Sequence, residues 1–397
     1  MNVRSYSSRT GNYSSRNYSS GNYSSGNYSS GTYSSGNYSP GNYSSGYVPS
    51  RIPYSSSSVT SPRVSSVTSN SDHNASLSNK EDEKQRAGFN NLGNTCFMNA
   101  VLQCLCHTQP LIDYCVRSSY QRDLNYSSPS RGNLFKEFAE LVKNSQESKT
   151  AISPSKLQLE AQRYAPRFAG GRQNDAHEFL RYLLQGLHED ISRAKYNFSI
   201  SGQKRYQESN DSFIGDIFAG QLKSTLKCTS CNKDSVMHDP FWDISLPIPE
   251  ESSSSSLNQL FNLFSYPEIL DGQNKAFCEW CRQKNRCSKK MEVNKFPKVL
   301  VIHLKRFSAS SFLRKLNIMV DCPLALRNLS EFSSRSYYNS YSLYGVIDHI
   351  GTNHSGHYIA KCKDPKTKLW YEFNDSRVTK ATDVISSNSY ILFYIQD

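Results

Sequence analysis

A cysteine at the start of one helical pattern and a histidine near the other end of the chain have the residue types of a nucleophile and its base. Cys96 lies in NNLGNTCFMNAVLQCL, between a Gly/Asn-rich loop and an apolar helical run. His357 lies in DHIGTNHSGHYIAKC, in a Gly/Ser/Asn loop that leads into a strand. A helix N-terminus and a nearby imidazolium both lower the pKa of a thiol. The pattern predicts thiolate attack by Cys96 with His357 as the base.

A third residue is predicted by the turn that follows His357. DPKT, at residues 364–367, has Asp and Pro at the first two positions of a β-turn. A symmetric hairpin around this turn places Asn374 directly opposite His357, on the same face of the sheet. Asn374 would then orient the imidazole. A register slip of one residue would bring Asp375 to it instead.

Acyl transfer also needs hydrogen-bond donors for the oxyanion that forms during attack. The backbone N–H of Cys96 and the side-chain amide of Asn91, in the preceding loop, are the candidates. Each such donor is typically worth about 3 kcal/mol in the transition state. The sequence therefore predicts Asn91 as part of the catalytic machinery.

Two CxxC pairs indicate a structural metal centre. Cys228 and Cys231 form the first pair and Cys278 and Cys281 the second, with 46 residues between them. Four thiolates suit one tetrahedral zinc ion and leave no open position for a catalytic water. We therefore expect one structural zinc ion and no organic cofactor, although four unrelated buried cysteines are the alternative. Cys287 is a spare cysteine that we do not expect to be a ligand.

The elements that must position these residues change in character along the chain. In the first third, apolar residues recur at helical spacing, as in Met98, Val101, Leu102 and Leu105. DAHEFLRYLLQGLHEDI repeats that pattern, with Asp175 at its predicted start. The last third consists of short β-rich runs divided by turns, such as SLYGVIDHI and SYILFYI. Helices followed by strands predict an α+β fold.

Residues 1–86 differ from the rest in composition. They are rich in Ser, Tyr, Asn and Gly, and NYSSG recurs with a period of five residues. Such a composition has too few aliphatic residues to form a core, which predicts a disordered tail. The tail is either an inert linker or an arm that docks protein partners.

The charge and the apolar patterning narrow the class of protein. The formal charge is +12, but the tail holds eight basic and four acidic residues, so about +8 is spread over the rest. With no basic run and no nucleic-acid motif, we expect no nucleic-acid partner. No apolar stretch suits a membrane span or a signal peptide. These features predict a cytoplasmic protein, with the nucleus as a second location.

Three long motifs resemble those of one family, the ubiquitin-specific proteases, which are papain-like deubiquitinases. GFNNLGNTCFMNAVLQCL is similar to their cysteine box, GRQNDAHEFLRYLLQGLHEDI to their glutamine-containing segment, and GTNHSGHYIAKC with WYEFNDSRV to their histidine box. The resemblance covers about residues 87–396. NNLGNTCFMN and FNDSRV favour the branch of ubiquitin carboxyl-terminal hydrolases 2 and 21.

The resemblance implies a right-hand architecture and a set of functional residues. A helical thumb would span about 87–210, zinc-bearing fingers about 213–305 and a palm sheet about 306–397. The family's nucleophile, base, third residue and oxyanion amide fall on Cys96, His357, Asn374 and Asn91. The family often has Asp at the third position, so Asp375 would share the stabilisation of the imidazolium.

The resemblance also implies the substrate, which is ubiquitin conjugated to other proteins. Asp175 and Glu178 fall where the family grips the arginines of the ubiquitin tail, and paired carboxylates suit that task. A helix cap and a solvated face are the alternatives for these two residues. His349 and Tyr358 fall where the family lines the channel for Gly-Gly. The loops from Phe307 to about Leu316 and from Ile350 to Gly356 would close over that channel.

Two other functions are compatible with parts of the sequence. A catalytically inactive ubiquitin-binding scaffold would keep the fold, but it would not need Cys96, His357 and Asn374 together. A zinc-ribbon nucleic-acid module would use the basic charge, but it would leave both catalytic motifs unexplained. The sequence therefore favours an active deubiquitinating cysteine protease.

Overall fold

The structure is a computed structural model that describes residues 86–193, 211–307, 315–335, 340–352 and 355–397. All of these belong to one compact unit. The predicted disordered tail lies outside the described residues, apart from Arg86. Most of the predicted loop after Phe307, and His354 in the loop before His357, also lie outside them.

The helices precede most of the strands, as the sequence predicts. Within the described ranges the α-helices are α1 Cys96–Cys106, α2 Gln109–Val116, α3 Asn133–Glu147, α4 Ser155–Tyr164, α5 Ala176–Asp190, α6 Phe213–Phe218 and α7 Leu257–Ser265. The predicted apolar face of α1 is buried, but so are its other residues. The cause is its central position, since α1 contacts α5 on one side and the strands β12 and β13 on another.

The strands follow in the order β1 Gly220–Cys228, β2 Asp234–Phe241, β3 Ile244–Pro247, β4 Ser254–Ser256, β5 Glu268–Leu270, β6 Ala276–Cys278, β7 Gln283–Asn285, β8 Cys287–Lys295, β9 Val299–Lys305, β10 Met319–Asp321, β11 Ala325–Leu326, β12 Tyr341–Gly351, β13 Gly356–Lys363, β14 Trp370–Asn374, β15 Arg377–Lys380 and β16 Ser389–Gln396. Together with the helices they make an α+β fold, which confirms the predicted class.

Two sheets contain most of the described strands, while β4 with β10 and β6 with β7 form two further two-stranded sheets. The larger has the order β15-β14-β13-β12-β16-β9-β3, with β11 paired to β12. Its pairs are antiparallel except for β3 and β9, which are parallel. The smaller sheet has the order β2-β1-β8-β5, and the hairpin of β6 and β7 lies nearby in sequence. Because β3 and β9 belong to the larger sheet, the chain leaves that sheet after β3 and returns to it at β9.

The larger sheet has a hydrophobic core on each face. Along β16, Ile391 and Phe393 pack with the helices, while Leu392 and Tyr394 pack with α7 and the other elements of the second core. All four side chains are fully buried. The sequence of a strand that is buried on both faces is a continuous run of apolar residues, which explains the YILFYI motif. Each large apolar side chain buried in this way contributes about 1.5–3 kcal/mol.

The helix α1 lies very close to the sheet at Gly345 of β12. A β-carbon at this glycine would lie 3.2 Å from Sγ of Cys104 on α1. Glycine therefore permits the close approach of the last turn of α1 to β12.

Candidate active site and metal centre

Cys96 is the first residue of α1, and the loop before it is tightly turned. Gly93 and Asn94 have φ values of +99° and +53°. These conformations suit glycine and are tolerated by asparagine. Oδ1 of Asn91 accepts hydrogen bonds from the backbone N–H groups of Gly93 at 3.1 Å and Thr95 at 3.0 Å. The side chain of Asn91 thus fixes the loop that presents Cys96.

The thiol of Cys96 is buried, with an exposed fraction of 5%. Burial raises the pKa of Cys96, and the Asp375 carboxylate raises it further. Backbone N–H groups near the thiol, at Tyr358 and at the helix start, lower the pKa but do not offset burial. The predicted net lowering of the Cys96 pKa is therefore wrong, because desolvation outweighs the helix N-terminus.

His357 and Asn374 are in contact, as the sequence predicts. Nε2 of His357 lies 2.8 Å from Oδ1 of Asn374. Because an amide oxygen only accepts, Nε2 carries the hydrogen in this bond, and Nδ1 is left with a free lone pair. Nδ1 is therefore the ring nitrogen that can accept a proton.

The predicted strand register is wrong by two residues, although the contact forms. Ala360 pairs with Phe373, so Asn374 lies opposite Ile359 rather than His357. The turn is longer than DPKT alone, since the backbone N–H of Asp364 donates to the carbonyl of Leu369. A shift of two residues keeps both side chains on the same face. His357 and Asn374 therefore meet as diagonal neighbours.

Asp375 is an anchor for the cysteine segment rather than a close partner of His357. Its Oδ2 accepts from the side-chain amide of Asn91 at 2.9 Å, and its Oδ1 accepts from that of Asn99 at 2.8 Å. The distance from Oδ2 to Nε2 of His357 is 4.0 Å. The carboxylate thus lies near the imidazole, but its short hydrogen bonds go to the two asparagines.

Asp175 is the N-cap of α5. Its Oδ1 accepts from the backbone N–H of Glu178 at 2.9 Å. Its Oδ2 accepts from the hydroxyl of Tyr390 at 2.6 Å and that of Tyr358 at 3.3 Å. Asp175 thus has the helix-cap role that the sequence offered as its alternative. The hydrogen bonds from the two tyrosines could not be predicted from the spacing of residues along α5.

Glu178 pairs with a cation of the chain itself. Its Oε1 lies 2.5 Å from Nη1 of Arg167, and both side chains are partly exposed. Partial burial raises the pKa of Glu178, and the Arg167 guanidinium opposes that rise. A surface ion pair of this kind contributes only about 0–1 kcal/mol.

His349 and Tyr358 are cross-strand neighbours on β12 and β13. Their ring centroids are 4.7 Å apart, and both side chains are buried. Burial lowers the pKa of His349 to about 4, and the Lys315 ammonium acts in the same direction. A β-carbon at Gly356 would collide with the His349 ring. The two residues thus form a buried aromatic pair across β12 and β13.

Gln173 is a residue of this site for which the sequence predicted no role. Its Oε1 accepts from the backbone N–H of Gly356 at 3.2 Å, next to His357. Two residues earlier, the carbonyl of Gly171 accepts from the side chain of Asn94 at 2.8 Å. The loop before α5 therefore touches both the cysteine loop and the histidine loop. The sequence could have indicated a role for Gln173 through its position in GRQNDAHEF, part of the segment that resembles the family's glutamine-containing motif.

The four cysteines of the CxxC pairs meet in space. Their Sγ atoms all lie within 4.8 Å of one another, which fits a four-thiolate metal site. Cys228 and Cys281 are 4.0 Å apart, and Cys231 and Cys278 are 3.6 Å apart. The eleven cysteines form no disulfide among the described residues.

Cys287 packs against this cluster without joining it. It is the strand partner of Cys228, and its Sγ lies 3.5 Å from the carbonyl oxygen of Asn285. The set of cysteines that are close enough for one ion contains the four predicted residues and not Cys287.

The fold, in which the helix of Cys96 packs against the strand of His357, is the papain-like fold of the right-hand type. The chain matches the ubiquitin carboxyl-terminal hydrolase family over residues 87–394, and it belongs to that family.

Individual relatives agree with this placement. Ubiquitin carboxyl-terminal hydrolase 2 from Rattus norvegicus is 43% identical over 338 residues, which cover 80% of this chain and 55% of that protein. Ubiquitin carboxyl-terminal hydrolase 21 from Homo sapiens is 39% identical over 349 residues, covering 77% of this chain and 61% of that protein. The chain thus spans about half the length of hydrolase 2 from Rattus norvegicus and Homo sapiens.

Solved structures share the fold. One is a chain of the SAGA DUB module Ubp8/Sgf11/Sus1/Sgf73 bound to ubiquitin aldehyde, with a TM-score of 0.66 and 27% identity, covering 79% of this chain and 71% of that chain. The same module bound to monoubiquitin gives a TM-score of 0.64 with 27% identity, covering 78% of this chain and 69% of that chain.

In the part of the chain that the structure describes, no helix combines the length and the apolar character that a membrane span requires.

Proposed function

We propose that the chain is a deubiquitinating cysteine protease that hydrolyses the isopeptide or peptide bond at the C-terminal glycine of ubiquitin. The observation that carries the proposal is the 2.8 Å contact between His357 and Asn374, in a chain of this family that presents Cys96 at a helix start. That contact gives the imidazole the tautomer of a base.

The reaction begins with a proton transfer. Burial raises the pKa of Cys96, so the thiol has to give its proton to a base as it attacks. Nδ1 of His357 takes this proton as Sγ attacks the glycine carbonyl carbon. The imidazolium then gives the proton to the leaving amine. Water, activated by His357, hydrolyses the thioester and releases the thiol.

Asn91 and the backbone N–H of Cys96 stabilise the oxyanion in this proposal. The Asn91 amide nitrogen has two hydrogens, and Asp375 accepts one of them at 2.9 Å. The second hydrogen is then directed by that bond, so the donor is oriented before substrate arrives. Preorganisation of this kind is what makes such donors effective. Asp375 therefore acts as a positioning residue through Asn91.

The substrate's tail lies along α5 and β13 in the proposal. Glu178 exchanges its weak surface partner Arg167 for an arginine of ubiquitin, which costs little because that pair is partly exposed. Asp175 contributes negative charge while it remains bonded to Tyr390 and Tyr358. His349 and Tyr358 line the passage for Gly-Gly.

The cysteine cluster binds one structural zinc ion. Four Sγ atoms within 4.8 Å of one another are suited to a tetrahedral ion that links β1 to the hairpin of β6 and β7. The ion supplies folding free energy and does not act on the substrate. The free thiols of the chain also favour a reducing compartment, so we propose the cytosol, with the nucleus as a second location.

The test is a reaction with ubiquitin that carries a C-terminal electrophile. The proposal predicts a covalent adduct with the full chain and none with Cys96→Ser. The matched control, Cys115→Ser, removes a buried thiol elsewhere and should still form the adduct. Bound ubiquitin without an adduct in the unmodified chain would favour the inactive scaffold. A chain that does not bind ubiquitin would contradict both functions.

A further inference from the structure

The hairpin of β6 and β7, residues 276–285, presents two faces. We call it the knuckle hairpin. On one face, Cys278 directs its Sγ to the cysteine cluster. Its neighbour Phe277 is paired directly with Lys284 of the other strand. Since adjacent residues of a strand point to opposite faces, Phe277 and Lys284 share the face that is turned away from the cluster.

Two aromatic side chains are exposed on this small hairpin. Phe277 is 59% exposed and Trp280 is 53% exposed. A single exposed apolar side chain is ordinary. Two large rings three residues apart, in a segment whose backbone is fixed by strand pairing and by the cysteine cluster, are suited to binding a partner. Trp and Phe are also enriched at interfaces because they bury much area with few rotatable bonds.

Basic residues surround these rings. Residues 275–290 contain six Lys and Arg and one acidic residue, Glu279, a balance of +5. Arg286 pairs with Asp271 at 3.5 Å and Lys290 with Glu292 at 2.9 Å. Within the described ranges, Lys275, Arg282 and Lys284 have no carboxylate oxygen within 4.0 Å, and all three are exposed.

Net charge is not what this hairpin offers a ligand. Residues 276–285 contain Arg282, Lys284 and Glu279, a balance of +1, and four thiolates with one Zn²⁺ would add a formal charge of about −2 on the opposite face. Attraction for a ligand comes instead from the exposed side chains of Lys275, Arg282 and Lys284. The unpaired cations are therefore available to a ligand. Exposed rings beside unpaired cations are complementary to a surface in which carboxylates flank an apolar side chain.

We infer that the knuckle hairpin docks an acidic peptide segment of a partner protein. The apolar side chain of that segment packs on Phe277 and Trp280, and its carboxylates pair with Arg282, Lys284 and Lys275. A peptide is favoured over nucleic acid because only three exposed, unpaired cations of the described residues flank the rings, whereas a nucleic-acid-binding surface neutralises a longer run of phosphates. This docking is separate from the proposed hydrolase reaction, whose residues lie on other elements.

The experiment measures fluorescence anisotropy with the full, zinc-loaded chain at physiological salt. The probe is a short fluorescein-labelled peptide of Glu and Asp with two central Leu residues. We expect saturable binding that weakens about tenfold in Phe277→Ser/Trp280→Ser and in Arg282→Glu/Lys284→Glu. The control Lys366→Glu/Lys368→Glu makes the same charge change on the turn after β13, and it should change the Kd less than about twofold.

Three results would overturn the inference. The first is the absence of saturable binding. The second is equal weakening by the knuckle and the control charge reversals, which would indicate net charge alone. The third is tighter binding of a single-stranded oligouridine than of the peptide, with the same variants affected. Zinc content and hydrolysis of a fluorogenic ubiquitin substrate are measured in parallel, and both should be unchanged. The docking result thus stands apart from the proposed activity.

Discussion

The side-chain amide of Asn91 donates a hydrogen bond to Oδ2 of Asp375 at 2.9 Å. Asn91 precedes the helix that carries Cys96, and Asp375 follows the strand that carries Asn374. The second carboxylate oxygen accepts from Asn99, on α1 itself, at 2.8 Å. One carboxylate from the sheet therefore holds both the loop and the helix of the cysteine, and it sets the direction of the proposed oxyanion donor.

We expect Asp375→Asn to lower kcat by about 10²-fold, with little change in KM. An asparagine at this position has one acceptor oxygen for two donor amides, so Asn91 loses its fixed orientation. A misdirected oxyanion donor costs about 10²–10³ in kcat. Steady-state kinetics with a fluorogenic ubiquitin substrate measure the change.

Asp383→Asn, which changes an exposed carboxylate outside the site, is the control for that experiment. It should leave kcat within about twofold of the unmodified chain, as surface changes usually do. A rise in KM with unchanged kcat in Asp375→Asn would show that the carboxylate serves substrate binding instead.

Asn374→Ala should lower kcat by about 10–10²-fold, because the imidazole loses the acceptor that holds it at 2.8 Å. Asn374→Asp keeps an acceptor and adds a negative charge that stabilises the imidazolium. It should retain most of the activity. Equal losses in the two variants would contradict an orienting role for this side chain.

Cys231→Ser should reduce zinc content, solubility and the free energy of unfolding, the last by several kcal/mol. A structural zinc site contributes its binding free energy to folding. Cys287→Ser is the matched control, since Cys287 packs beside the cluster but is not among the four grouped thiols. Elemental analysis and thermal unfolding are the measurements, and equal zinc content in both variants would contradict the assignment.

Stability should fall between about pH 6.5 and pH 4, in part because of His349. Burial lowers the pKa of His349 to about 4 in the folded chain, whereas an unfolded histidine has a pKa of about 6.5. Below pH 6.5 the unfolded chain binds a proton that the folded chain excludes. Stability is therefore constant above this window and decreases as the pH falls through it.

His349→Gln should flatten this pH dependence. The contribution of His349 is of the order of 2 kcal/mol, or about 4–8 °C in Tm between pH 7.5 and pH 4.5. The measurement is thermal unfolding at both pH values. His238→Gln, at an exposed position, should leave the slope unchanged. An unchanged slope in His349→Gln would show that the buried ring is not the source.

The sequence predicted what depends on residue type and short spacing. The helices that begin at Cys96 and after Asp175 follow from apolar periodicity and a capping residue, and both are observed. The α+β class follows from the change of pattern along the chain. The meeting of the four cysteines follows from two CxxC pairs, because two such pairs supply the four thiolates of one tetrahedral site.

Properties that depend on distant neighbours were not predictable in the same way. The pKa of Cys96 is raised because the thiol is covered by elements far away in sequence, which no local pattern reports. The register of His357 and Asn374 was displaced because the turn contains two more residues than its DPKT core. The bonds from Tyr390 and Tyr358 to Asp175 join segments that are 215 and 183 residues apart.

The position of β16 has a consequence for the timing of activity during synthesis. This strand, Ser389–Gln396, lies between β12 and β9, so the larger sheet cannot close until Gln396 has left the ribosome. Cys96 emerges long before that. Because contacts of high sequence separation form late and slowly, the nascent chain carries an exposed thiol segment without a base. We therefore expect the emerging chain to depend on chaperones, and the proposed activity to begin only when β16 is inserted.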